Sequence, residues 1–92
     1  MLWHNSPEEA FKWNMLSAKQ GCIEGATAVA SSYRNGHGVK KNPTFAFDWF
    51  LKSAKSGDKA SAYIVSTMYD KGEGVTQDEA KSYYWFNEYN KK

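Results

Sequence analysis

Small and apolar residues recur along this chain with the period of an α-helix. The spacing i, i+3, i+4, i+7 places side chains on one face of a helix. Two segments carry small side chains and a tyrosine at this spacing: Ala26, Val29, Ala30 and Tyr33, and then Ala62, Val65, Ser66 and Tyr69. Other segments carry an aromatic stripe, such as Ala46, Trp49, Phe50 and Ser53. The pattern predicts five helices, near residues 7–20, 24–35, 44–56, 60–71 and 78–90.

The chain repeats itself every 36 residues. This shift superposes Ala26 on Ala62, Val29 on Val65, Tyr33 on Tyr69, Gly36 on Gly72, Gly38 on Gly74, Val39 on Val75, Trp49 on Trp85 and Phe50 on Phe86. An incomplete copy upstream aligns Pro7, Phe11, Trp13 and Gly21 with Pro43, Phe47, Trp49 and Gly57. The repeats predict one domain, 1–92, with a trailing half-repeat (5–22), a full repeat (23–57) and a C-terminal repeat (58–92).

Helix boundaries are indicated by capping residues. Ser6 and Asn42 each precede a proline, the order typical of a helix N-terminus. In the last repeat either Asp78 or Thr76 can cap the second helix. Gly21 and Gly57 follow the second helices, where a left-handed residue ends a helix.

Two glycine-rich segments, "YRNGHGV" from Tyr33 and "YDKGEGV" from Tyr69, connect the helices of each repeat. Glycines around a basic side chain can bind an anion, but Glu73 replaces His37 in the second copy. We therefore interpret both segments as turns in which positive φ and close backbone contact favour glycine.

The combination A-x-x-V-[AS]-x-x-Y-x-x-G-x-G-V-x-x-[ND]-x-x-x-[AS]-x-x-W-F resembles the Sel-one-like repeat family, which is related to the tetratricopeptide repeats. The resemblance covers residues 5–92 and implies an all-α superhelix, a solenoid of helical hairpins, that serves as a non-catalytic adaptor for protein contacts. The small pair Ser53 and Ala54 matches the family, whereas Tyr89 and Asn90 do not. We expect Tyr89, Asn90, Lys91 and Lys92 to form a polar cap that ends the array.

Composition and charge limit the classes of function. Twelve basic and ten acidic residues are interspersed and leave a net charge of +2, so no basic tract indicates nucleic acid or an anionic membrane. No apolar run approaches the roughly 18 residues of a membrane helix, and the segment "MLWHNSPEEA" does not resemble a signal peptide. With Cys22 as the only cysteine, we expect a protein of a reducing compartment, the cytoplasm.

Candidate chemistry is sparse. Cys22 has no identifiable base, and the two histidines, His4 and His37, belong to no pattern of metal ligands. Acidic pairs such as Asp78 and Glu79 are explained by helix dipoles. We therefore predict no enzymatic activity and no cofactor.

The aromatic residues of the last helix have two explanations. Tyr83, Trp85 and Phe86 occupy repeat positions at which burial is expected. Tyr84 and Tyr89 are surplus, and they either cover the end of the array or contact a partner.

The leading functional hypothesis is a module that binds another protein. The resemblance implies that the first helices of the repeats line a concave surface. Helical geometry predicts that the contact residues lie opposite the packing faces of these helices: Tyr63, Ile64, Thr67 and Lys71, and in the preceding repeat Thr27, Ser31 and Asn35. An open end of the array is the other possible binding surface. A sharper version is a bacterial immunity protein that neutralises a toxin domain, and the alternative is a fragment of a longer scaffold or a self-associating unit.

Overall fold

The computed structural model describes residues 6–91, and within this range the chain is an all-α array. The helices are α1 (Pro7–Lys19), α2 (Ile23–Asn35), α3 (Pro43–Lys55), α4 (Lys59–Lys71) and α5 (Glu79–Asn90). Each helix packs against the next one in the chain, and the array measures 50 × 27 × 17 Å. The predicted solenoid of helical hairpins is confirmed, and each predicted helix end lies within a single residue of the observed one.

Side-chain caps set the starts of most helices. The Ser6 hydroxyl, the Asn42 amide oxygen and the Asp58 carboxylate each accept a hydrogen bond from the backbone N–H three residues on. Asp78, and not Thr76, caps α5 by accepting from the N–H of Lys81 at 3.0 Å. Such a cap contributes about 1 kcal/mol to stability.

The glycine-rich turns explain the repeated seven-residue segments. Gly36 and Gly72 end α2 and α4 in the left-handed conformation, with φ of 71° and 70°. A Cβ on Gly74 would lie 2.2 Å from the carbonyl oxygen of Pro43, and a Cβ on Gly38 would lie equally close to that of Pro7. Each turn therefore rests directly on the N-terminus of the preceding repeat's second helix, as the interpretation of these segments as structural turns predicts.

The core consists of two clusters along the array. The larger one is formed by α2, α3 and α4: Ala30, Ala46, Phe47, Phe50, Ala54, Ala62, Val65, Met68 and Tyr69. The smaller one joins α1 and α2 through Ala18, Ala26 and Val29. Trp49 contacts both clusters but is only half-buried, so the burial expected at its repeat position is incomplete. The fully buried aromatic side chain of α3 is its neighbour Phe50.

Candidate functional site

An open groove lies between α4 and α5 on the side facing away from the rest of the array. We call it the terminal groove. Its volume is about 470 Å³, and it is lined by Tyr63, Ser66, Thr67, Asp70, Glu79, Ser82, Tyr83 and Phe86. The hydroxyl of Ser82 donates to the backbone carbonyl of Ser66 at 2.8 Å, which ties the two walls together at the floor.

The terminal groove repeats a surface that is covered one repeat earlier. The positions 36 residues before Ser66, Ser82, Tyr83 and Phe86 are Ala30, Ala46, Phe47 and Phe50, which we call the filled groove. All four side chains are buried in the cluster to which α4 contributes. Phe47 is 5% exposed whereas Tyr83 is 68% exposed, and Phe50 is 2% exposed whereas Phe86 is 41% exposed. The terminal groove therefore presents a packing surface without its covering helix.

An aromatic contact between repeats shows the same relation. Phe11 packs edge-on against Tyr33 with ring centroids 5.3 Å apart, and Phe47 packs the same way against Tyr69 at 5.1 Å. In both pairs a ring of the second helix meets the tyrosine of the next repeat's first helix. Tyr83 is the third member of this series, and it lines the terminal groove.

The two ends of the terminal groove differ in chemistry. At one end the rings of Tyr63 and Tyr89 lie 5.1 Å apart, and Tyr89 also lies 6.1 Å from Phe86. At the other end Asp70 and Glu79 place two carboxylates at the mouth. The groove is thus aromatic at one end and acidic at the other.

The acidic mouth reverses the charge found at the filled groove. Arg34, which lies 36 residues before Asp70, donates two hydrogen bonds to the carboxylate of Glu73, at 3.1 and 3.3 Å. Glu73 belongs to the turn that follows α4, so this ion pair connects the filled groove to the hairpin that covers it. Asp70 takes the place of that arginine in the terminal groove.

The residues predicted from the sequence as contacts lie in different environments. Tyr63 and Thr67 line the terminal groove, and Lys71 is exposed at the end of α4. Ile64 is half-buried against the larger core cluster, so its predicted outward orientation is corrected. In α2, Ser31 and Asn35 are exposed, while the Thr27 hydroxyl donates to the carbonyl of Glu24.

The structure adds residues that the sequence interpretation assigned to the core. Tyr83 and Phe86 were expected to be buried, but α5 contains no fully buried residue because no helix of the described range 6–91 packs on its outer face. The sequence contained one indication of their exposure, which is that both residues belong to its last copy of the repeat. Tyr84 lies outside the groove, with its ring 5.1 Å from that of Trp85.

Cys22 and His37, two other candidates from the sequence, lie outside the terminal groove. The Cys22 thiol is exposed and donates to the carboxylate of Glu24 at 3.2 Å, and His37 is exposed in its turn. His4 lies outside the described residues. Between residues 6 and 91 we find no metal-binding group of three or more histidine, cysteine or acidic side chains. None of the helices in that range has the length and apolarity to cross a bilayer.

Comparison with known proteins identifies the repeat. The family model described as Sel1 repeat matches residues 23–58 and 59–88. No curated protein matches the chain significantly.

Three solved structures are similar over most of the chain. One is c5321, a protective antigen present in uropathogenic Escherichia coli strains that displays an SLR fold. It is 32% identical with a TM-score of 0.89, over 91% of this chain and 18% of c5321. A Sel1 repeat protein from Oxalobacter formigenes is 27% identical with a TM-score of 0.84, over 94% of this chain and 34% of its own.

The third is Helicobacter pylori cysteine rich protein B. It is 21% identical with a TM-score of 0.85, over 89% of this chain and 62% of its own. This chain therefore spans less than two thirds of each of the three.

Proposed function

Because the chain belongs to the Sel1 repeat family, we propose that it is a non-catalytic module that binds another protein through the terminal groove. Sel1 repeats are generally protein–protein interaction modules. The proposal assigns that general role to one surface of this chain.

The observation that carries the proposal is the exposure of aromatic side chains around one concave surface. Tyr63, Tyr83, Phe86 and Tyr89 are all more than a third exposed, although they lie close together on α4 and α5. Contiguous exposed apolar surface marks interaction sites in soluble proteins. Tyrosine is also among the residues that contribute most to binding when a partner buries them, about 2 kcal/mol or more at the centre of an interface.

The predicted contacts on α4 are partly included in this site. Tyr63 stays the leading contact residue, now together with Thr67 on the wall of the groove. Thr27, Ser31, Asn35 and Lys71 form no part of its lining, so for these residues partner binding stays a prediction. We locate the main contact at the open end of the array because the aromatic surface is there.

The sharper candidate partner is a toxin domain that this chain neutralises as an immunity protein. A toxin gene adjacent to that of this chain would support this candidate. A cytoplasmic location, predicted from the sequence, belongs to the same proposal.

A second candidate is a segment of a longer repeat scaffold. It is favoured by one observation, that the chain covers 18% of c5321 and 34% of the Oxalobacter formigenes protein. In that case the terminal groove would be an internal junction, and repeat sequence continuing in the same reading frame would decide in its favour.

Affinity capture from the source cells, followed by titration of the purified partner, tests the proposed function. Replacing Tyr83 by alanine is expected to weaken binding at least tenfold, while circular dichroism stays unchanged, because the exposed ring contributes little to the core. Tyr84→Ala is the matched control, since Tyr84 is exposed on the same helix but outside the groove. Equal affinity of the Tyr83→Ala and wild-type proteins would exclude the groove as the binding surface.

A further inference from the structure

We propose that the terminal groove binds a short amphipathic helix of a partner protein that carries a lysine or arginine at its C-terminal end. This inference rests on the proposed function and names the chemistry of the partner. It follows from comparing the terminal groove with the filled groove, in which the structure shows what the surface accepts.

A helix is the shape that this surface accepts. The filled groove is covered by α4, whose buried positions Ala62, Val65, Met68 and Tyr69 face the larger cluster. Small residues lie in the first half of this face and larger ones in the second half. The matching walls of the terminal groove predict an occupant with the same gradient, ending in an aromatic ring that meets Tyr83 as Tyr69 meets Phe47.

The occupant is shorter than α4. The wall formed by α4 runs from Tyr63 to Asp70, which at a rise of about 1.5 Å per residue is about 10 Å, or two helical turns. Beyond Tyr63 the groove is closed by Tyr89, which replaces the small residue Ser53 of the preceding repeat. A two-turn helix fits between this aromatic end and the acidic mouth.

The charge of the occupant follows from the acidic side chains at the mouth of the terminal groove. At the filled groove a cation of the groove, Arg34, binds an anion of the covering hairpin, Glu73. At the terminal groove the equivalent position is Asp70, and Glu79 takes the place of Pro43. Two carboxylates at this position favour a basic residue on the occupant, because opposite charges across an interface attract and like charges repel.

The first helices of a second copy of this chain are poorer occupants. Its first helices, α2 and α4, are already packed in their own array. The turn after α4 would bring Glu73 to the carboxylate of Asp70, and the turn after α2 would bring His37, which is neither a lysine nor an arginine. The chemistry of the mouth therefore favours a different protein.

A pair of synthetic peptides tests the inference. Both copy residues 62–75, which supply the face of α4 and the following turn, and they differ only in that one carries Glu73→Lys. Titration into the ¹⁵N-labelled chain, followed by amide chemical shifts, is expected to move the signals of Ser66, Tyr83 and Phe86. The lysine peptide should bind about threefold to fivefold more tightly, the size expected for one exposed charge pair.

Variants of the chain provide the controls. Asp70→Lys should reverse the preference in favour of the peptide with glutamate. Tyr83→Ala should weaken the lysine peptide at least fivefold, and Tyr84→Ala should leave its binding unchanged. Equal binding of the two peptides, or shifts confined to residues outside the groove, would overturn the inference.

Two further outcomes separate the inference from the proposed function. If neither peptide moves the groove signals, while the captured partner still requires Tyr83, the protein-binding function stands and the basic helix is wrong. Dimerisation of the chain through the groove, detected as concentration-dependent shifts of the same signals, would replace the partner helix by a second copy.

Discussion

At the scale of single residues, the repeat position fixes the type of a side chain but the neighbouring helix fixes its exposure. Phe50 and Phe86 share a repeat position, yet one is buried at 2% exposure and the other is exposed at 41%. A buried ring gains both its transfer from water and its contacts with surrounding atoms. The same residue type at the open end of the array keeps part of its contact with water and makes fewer contacts with other side chains.

Phe50→Ala is therefore expected to lower the free energy of unfolding by about 3–5 kcal/mol, the cost of truncating a buried aromatic side chain. Phe86→Ala should lower it by about 1 kcal/mol or less, as for an exposed substitution. Urea denaturation of the two variants gives the comparison. Similar losses for both would show that α5 is covered in solution.

At the scale of elements, the turns contact neighbouring helices directly, in addition to the contacts between helix faces. Gly38 and Gly74 lie against backbone atoms of α1 and α3, so a side chain at either position requires the turn to move. Gly57, in contrast, has a positive φ of 103°, but a Cβ added there would have no neighbouring atom within 4 Å. Substitutions at these two kinds of glycine therefore distinguish the cost of a steric clash from the cost of a strained backbone conformation.

Gly74→Ala should destabilise the chain more than Gly57→Ala, since both substitutions strain a positive φ but only the first adds a clash with the carbonyl of Pro43. We expect about 1 kcal/mol for Gly57→Ala and at least twice that for Gly74→Ala. Thermal and urea unfolding measure the difference. Equal losses of stability would mean that the turn after α4 moves to accommodate the added methyl group without further cost.

At the scale of the whole molecule, each helix of the array packs mainly on its neighbours in the chain. The two core clusters share Tyr33 and Trp49 as bridging side chains, and Lys52 lies over the Trp49 ring at 4.4 Å from its centroid. In repeat proteins, stability is close to a sum of repeat and interface contributions. Trp49 therefore couples the first half-repeat to the rest.

Trp49→Ala should lower the free energy of unfolding by about 2–3 kcal/mol, less than for a fully buried tryptophan because the ring is half-buried. The urea transition should also broaden, since the smaller core cluster then unfolds separately from the larger one. Circular dichroism and tryptophan fluorescence, followed together, detect this loss of cooperativity. A change below about 1 kcal/mol with coincident transitions would show that Trp49 does not couple the clusters.

Much of this protein is determined by its sequence alone. Helical periodicity and local capping need only neighbouring residues, which is why the five helices, the caps at Ser6 and Asn42 and the glycine turns were predictable. The 36-residue repeat then implies that successive hairpins stack in one way.

Tertiary structure alone decided which copies of the repeat are covered. Exposure depends on atoms distant in sequence, so the repeat pattern predicts Tyr83 and Phe86 as core positions, whereas the open face of α5 leaves them exposed. The helical wheel likewise placed Ile64 outside, but a helix in an array contacts neighbours on more than one side, and Ile64 packs against the core. Within the described residues the terminal groove is open because no helix packs on this face of α4 and α5, and local sequence patterns do not predict such a long-range absence.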